Sequence, residues 1–94
     1  MREIELNARD WREPNDFYEA ILPELGAPAW HGRNLDALDD SIFTGDINSV
    51  EPPFHITVVG TDGLPAPMKE FLLKVRAVFD DNAGKADATI SFIP

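Results

Sequence analysis

Polar and apolar residues alternate over Arg2 to Leu6, with Ile4 and Leu6 on one face and Glu3 and Glu5 on the other, which predicts a short half-exposed strand at a sheet edge. The period then lengthens to four. Phe17, Ile21 and Leu25 recur at that interval, and Asp16 with Glu19 three residues later resembles a capping box. A first helix is expected from about Asp16 to about Leu25, with Gly26 as its stop. Pro23 lies inside the pattern and should kink the helix or split it, because its ring clashes with the preceding turn and it has no amide donor. Asn7 to Pro14 reads as a polar connection in which Trp11 is a core anchor.

Gly26-Ala27-Pro28-Ala29 is rich in breakers and leads into Trp30-His31-Gly32, an irregular loop directly before a second helix. Asn34 suits the cap of that helix, which is expected to continue to about Phe43 and to end at Thr44-Gly45-Asp46. At about 100° per residue, Leu35, Leu38 and Ile42 fall on one side, and Asp36, Asp39 and Asp40 on another, roughly 120° away. The leucine side belongs to the core and the aspartate side to water or a partner. The helix dipole favours Asp36 in the first turn. Like charges at i,i+3 and i,i+4 nevertheless cost a few tenths of a kcal/mol each, and Asp is a poor residue for a helix interior. This face works against local stability, so something other than folding accounts for it.

Glu51-Pro52-Pro53 holds the backbone extended ahead of Phe54 to Val59, a run rich in β-branched residues and nearly continuous in apolar character. Such a run predicts a central strand covered on both faces. Beyond the loop Gly60 to Pro67, the residues Met68, Phe71, Leu72, Val75 and Phe79 mark a third amphipathic helix reaching about Asp81. Asn82-Ala83-Gly84 ends it, and Ala88 to Ile93 reads as a last strand. Strands separated by helices imply parallel pairing with right-handed crossovers. The expectation is an α/β fold, one domain over residues 1–94, with a small parallel three-stranded sheet and helices in the crossovers.

Composition narrows the function. At 94 residues and 44% hydrophobic the chain can hold a modest core without staples, and the absence of cysteine excludes disulfides and thiolate metal sites. There is no run of signal-peptide or membrane-spanning character, so a soluble cytoplasmic protein is expected. The net charge of -9 disfavours nucleic acid and anionic lipid as partners and favours basic ones. The acidity is concentrated: between Arg33 and Lys69 there is no Lys or Arg, while Asp36, Asp39, Asp40, Asp46, Glu51 and Asp62 fall in that interval.

Three clustered carboxylates first suggest a hard-cation site, but no Gly-centred loop supplies further oxygen ligands and a helix face presents carboxylates divergently. A glycosidase pair would need a cleft between its acids, which one helix does not make. His31 and Asp36 with Ser41 or Thr44 make no nucleophilic site either, since Asp36 and Ser41 leave different sides of the helix and no G-x-S-x-G elbow is present. Phosphate-cradling glycine motifs are also absent. His55, inside a strand, reads as a half-buried structural residue, while His31 in the loop is the better functional candidate. What fits is an electrostatic protein interface: an aromatic anchor at Trp30, a close-approach backbone at Gly32, a polar fork at Asn34, and the aspartates 36, 39 and 40.

Residues Leu25 to Asp40, LGAPAWHGRNLDALDD, carry a resemblance. They are similar to the segment L-x-x-P-x-Y-Y-G-x-N-L-D-A-L-x-D of the barstar family, intracellular inhibitors of small basic bacterial ribonucleases such as barnase. The likeness extends to Thr44-Gly45, the proline-led central strand, the long third helix and the ending Asp87-Ala88-Thr89-Ile90. It implies a compact α/β fold and an inhibitor whose second helix and preceding loop plug the ribonuclease active site. By position it implies that Asp40 occupies the enzyme's phosphate-binding site, with Asp36 as its acidic companion. Trp30 matches an interface tyrosine, Gly32 and Asn34 match directly, and Asp80 or Asp81 stands at an outer acidic contact. Three positions depart from the family pattern: Asp39 replaces a tryptophan, His31 a second tyrosine, and Arg33 a negative residue.

The expected function is therefore an immunity-type bacterial inhibitor of a small basic ribonuclease. It is no enzyme, needs no cofactor or metal, and is monomeric when free. Its expected contacts are Trp30, His31, Gly32, Asn34, Asp36, Asp39, Asp40, Asp80 and Asp81. The alternatives are an acidic interaction module for a different basic protein and a metal-assisted hydrolase.

Overall fold

The computed structural model describes all residues, Met1–Pro94. Strands Arg2–Asn7 (β1), Phe54–Val59 (β2) and Ala88–Phe92 (β3) pair in parallel in the order β1-β2-β3. Spatial order thus follows chain order. Parallel crossovers are right-handed, and two that step the same way across a sheet must lay their helices on the same face. The register agrees: Ile4, Ile56 and Ile90 lie side by side, as do Leu6, Val58 and Phe92, on the face that carries the core.

The opposite face carries no helix. Its rows are Glu3-His55-Thr89 and Glu5-Thr57-Ser91. Strand β2 is central, as its β-branched run predicts, but it is not covered on both faces: Phe54, Ile56 and Val58 are buried, while His55, Thr57 and Val59 are only partly so. The short apolar run hid a period of two because Val59, as apolar as the buried positions, sits on the open side with His55 and Thr57. His55 is half-buried there, its Nδ1 2.6 Å from Thr89 Oγ1 and its Nε2 2.9 Å from Ser91 Oγ, tying β2 to β3.

The first helix, Pro14–Glu24 (α1), begins two residues earlier than its spacing suggests. Asp16 is the third helical residue, not the cap, and its carboxylate reaches back to accept the amides of Arg12 (2.7 Å) and Glu13 (3.1 Å). Pro14 fits the first turn, where no donor is needed. Pro23 does not split the helix, since it falls in the last turn and removes one bond only. A Schellman closure follows, with Gly26 N–H on the Pro23 carbonyl and Ala27 N–H on that of Leu22. Gly26 has φ +63°, and a Cβ there would collide with the Ser49 side chain, so glycine is required twice over.

Leu35–Asp39 (α2) continues without a break into a π-helical turn, Asp40–Thr44, closed by Gly45 N–H on the Asp40 carbonyl at 3.2 Å. The last helix, Ala66–Asp81 (α3), also starts two residues early because Pro67 is tolerated in its first turn. Side chains from all three helices and all three strands join in one cluster of 21 buried apolar residues. Trp11 belongs to it, set edge-on to Phe17 with centroids 5.8 Å apart. No helix is long and apolar enough to cross a membrane.

The two amide bonds to Asp16 hold its carboxyl below the ordinary carboxylate range, with those from Arg12 and then Glu13 as the main causes. A depressed folded-state pKa stabilises the fold above the unfolded value and loses that stabilisation as pH falls through the folded value. Asp16→Asn should therefore lower the thermal midpoint at neutral pH, and the difference from the wild type should vanish in acid. Parallel melting curves across the whole pH range would contradict this role.

Candidate protein-binding site

The acidic helix is displayed by its own sequence. Asn34 is extended (φ -151°) and its Oδ1 accepts the amide of Ala37 at 2.7 Å, which starts α2 at Leu35. Leu38 and Ile42 are fully or nearly fully buried, and Asp36 and Asp40 on the other side are exposed. Asp40 Oδ1 accepts from Thr44 Oγ1 at 3.1 Å, one turn along. Asp36 and Asp40 have no cation beside them, because the molecule's one ion pair is elsewhere. No three acidic or histidine side chains converge as metal ligands would.

The loop before α2 points its two aromatic rings in opposite directions. Trp30 is 74% exposed, while His31, the next residue, is 7% exposed. His31 Nδ1 lies 2.7 Å from the Gly32 carbonyl, which can only accept, so that nitrogen carries a proton and donates. Its Nε2 lies 2.8 Å from Ser41 Oγ in the π-helical turn. Ser41 is itself buried and touches the Leu38 carbonyl at 3.2 Å. With both residues buried, the pair clamps the loop to the π-helical turn.

Gly32 allows the loop to lie this close, because a Cβ there would come 3.0 Å from Asn34 Nδ2 and 3.2 Å from the Ala37 Cβ. Arg33 turns away from the aspartates to α1, with Nη1 2.6 Å from both Asn15 Oδ1 and Glu19 Oε1. Half exposed, this pair adds little stability. Its effect is to take the one positive charge of the loop off the acidic face. A groove of about 320 Å³ runs between loop and α1, with Tyr18, Glu19, Pro28, His31 and Arg33 among its walls. Burial pushes the Tyr18 phenol above its ordinary pKa.

The remaining carboxylates lie on two elements. Asp39 is half-buried and its Oδ1 accepts from Asn82 Nδ2 at 3.2 Å, at the end of α3. Asp80 and Asp81, just before Asn82, are both exposed.

A family model described as Barstar (barnase inhibitor) matches residues 1–92 of the chain. The chain belongs to the barstar family. Among individual curated proteins, none matches it. The barstar family's plan of a parallel three-stranded sheet with helices in its crossovers is the fold seen here.

Against the barstar pattern, the three departing residues share a structural property. His31, Arg33 and Asp39 each bond to side chains distant in sequence, Ser41, Glu19 with Asn15, and Asn82. Of the residues that match the pattern, Asn34, Asp36 and Asp40 are exposed, as Trp30 is, and bond no further than one turn away. Ser41, Glu19 and Asn82 support this site, a role the sequence did not assign to them. Each carried a different signal: Ser41 in a rejected nucleophilic set with His31, Glu19 in a capping box, and Asn82 as the end of a helix.

Ser41→Ala should leave His31 Nε2 buried without a partner and cost about 1–3 kcal/mol of stability. Trp30→Ala, at an exposed site, should change stability by no more than about 0.5 kcal/mol. Chemical denaturation of both variants checks the contrast, and equal losses would contradict the inward and outward assignment of the two rings.

Proposed function

We propose that the chain inhibits a small basic ribonuclease by seating α2 and its preceding loop in the enzyme's active site. An enzyme that cleaves RNA must hold phosphates with cationic side chains, and such a site is complementary to paired carboxylates. Asp40 stands in for a phosphate, Asp36 is its companion, and Trp30 is the apolar anchor beside them. Gly32 and Asn34 bring the loop and first turn to the enzyme surface, His31 and Asp39 support them from beneath, and Asp80 and Asp81 form an outer acidic contact. The carrying observation is an exposed tryptophan in the loop that leads into a helix with two exposed, cation-free carboxylates, with Arg33 drawn away. Membership of a family described as barnase inhibitors supports the same reading. The protein acts in the cytoplasm as an immunity protein and binds as a monomer, without cofactor or metal.

Calorimetry with barnase tests this. Asp40→Ala should weaken binding by about 3–5 kcal/mol, because removing one member of a desolvated ion pair strands the other. A loss below about 0.5 kcal/mol would remove Asp40 from its role. Association should slow as salt is added, since the screening length falls from about 10 Å at 0.1 M to about 3 Å at 1 M. Capture from a host lysate separates the two partner classes: a small basic nuclease supports inhibition, and any other dominant basic protein supports an interaction module.

A further inference from the structure

The third aspartate of the acidic helix is set apart from the other two. Asp39 is half-buried, and its Oδ1 accepts from Asn82 Nδ2 at 3.2 Å across 43 positions of sequence. Asn82 is 4% exposed and closes α3, with the same Nδ2 donating to the Val78 carbonyl at 2.7 Å. One turn along the acidic helix, Phe43 meets Phe79 edge-on, ring centroids 5.5 Å apart. Residues 39 and 43 are a turn apart on one helix, and 79 and 82 a turn apart on the other. A polar staple and an aromatic staple therefore act at successive turns, which fixes the helices against both sliding and rotation. Asp80 and Asp81 directly precede Asn82 and are exposed.

We infer that Asp39 and Asn82 form a latch that joins the carboxylates of α2 and α3 into one rigid acidic surface, shaped for a protein whose cationic patch spans both helices. This rests on the reading of the acidic face as a contact surface. Asp39 is then a positioning residue: its carboxylate is spent on Asn82, and it acts on the partner through the placement of Asp80 and Asp81. Holding two helices in register before encounter removes an ordering cost that binding would otherwise bear.

Charge and position are separable at residue 39. Asp39→Asn keeps an acceptor oxygen for Asn82 and loses the charge, whereas Asp39→Ala loses both. With barnase as the probe, dissociation of Asp39→Asn should stay within about threefold of the wild type, and Asp39→Ala and Asn82→Ala should each dissociate about tenfold faster or more. Neutralising the outer carboxylates, as Asp80→Asn with Asp81→Asn, should speed dissociation about fivefold in the wild type and under about twofold in the Asn82→Ala background. A general loss of stability would not erase that difference. The inference is overturned if Asp39→Asn is as damaging as Asp39→Ala, or if the outer pair costs the same in both backgrounds. Should Asn82→Ala not fold, Asp39→Ala serves as the unlatched background, since it leaves the α3 cap in place. Failure of the wild type to bind barnase, together with capture of no small basic nuclease from the host lysate, overturns the functional reading instead. The latch is then decided on the free protein by a thermal double-mutant cycle between residues 39 and 82, where coupling supports it and additivity overturns it.

Discussion

Right-handed crossovers constrain this molecule more than any single contact does. With three parallel strands in the order β1-β2-β3, both crossovers step the same way, so all helices crowd onto one face of the sheet. That face has little width. Helices α1 and α3 flank it, and α2 with its π-helical turn buries one side, through Leu38 and Ile42, and leaves the other free. The aspartate face exists because the crossover topology gives α2 nothing to pack against on that side. The same constraint leaves the reverse of the sheet open, which is why its rows read Glu3-His55-Thr89 and Glu5-Thr57-Ser91.

A free helix face becomes useful when it is held still. Three contacts do this from different directions: His31 pins the loop to Ser41 beneath the helix, Arg33 ties it to α1 through Glu19, and Asp39 ties the helix to α3 through Asn82. Each uses a polar residue that would otherwise be free to meet a partner. Trp30, Asp36 and Asp40 are left facing outward on a scaffold whose neighbours are already committed. A contact surface of this kind gains affinity by having little left to order on binding.

Much of this was legible in the chain. Alternation located β1, the Asn34 cap and the leucine spacing located α2, and the motif around Gly32-Arg33-Asn34-Leu35-Asp36 pointed to the family. The errors fall where a partner that spacing does not show, local or tertiary, decides. Asp16 resembles a cap until the amides of Arg12 and Glu13 are found on its carboxylate. Phe54 to Val59 looks two-sided because a short apolar run cannot say whether its sheet is covered. The direction of His31 was invisible, since a histidine beside a glycine can face either way. Asp39 is the instructive case. At about 100° per residue it lies roughly 70° from the mean direction of Leu35, Leu38 and Ile42, against roughly 130° for Asp36 and 170° for Asp40. The periodicity already placed it nearest the core, but not that Asn82 waits there.

The central claim is that α2 and its loop occupy the site where a ribonuclease holds RNA phosphate. The most direct measurement is competition on barnase between this protein and a phosphomononucleotide bound at the enzyme's active site, followed by a spectroscopic signal of the nucleotide. The account predicts mutual exclusion, with the nucleotide released stoichiometrically as the protein binds. A stable ternary complex, with nucleotide and protein bound together, would contradict it.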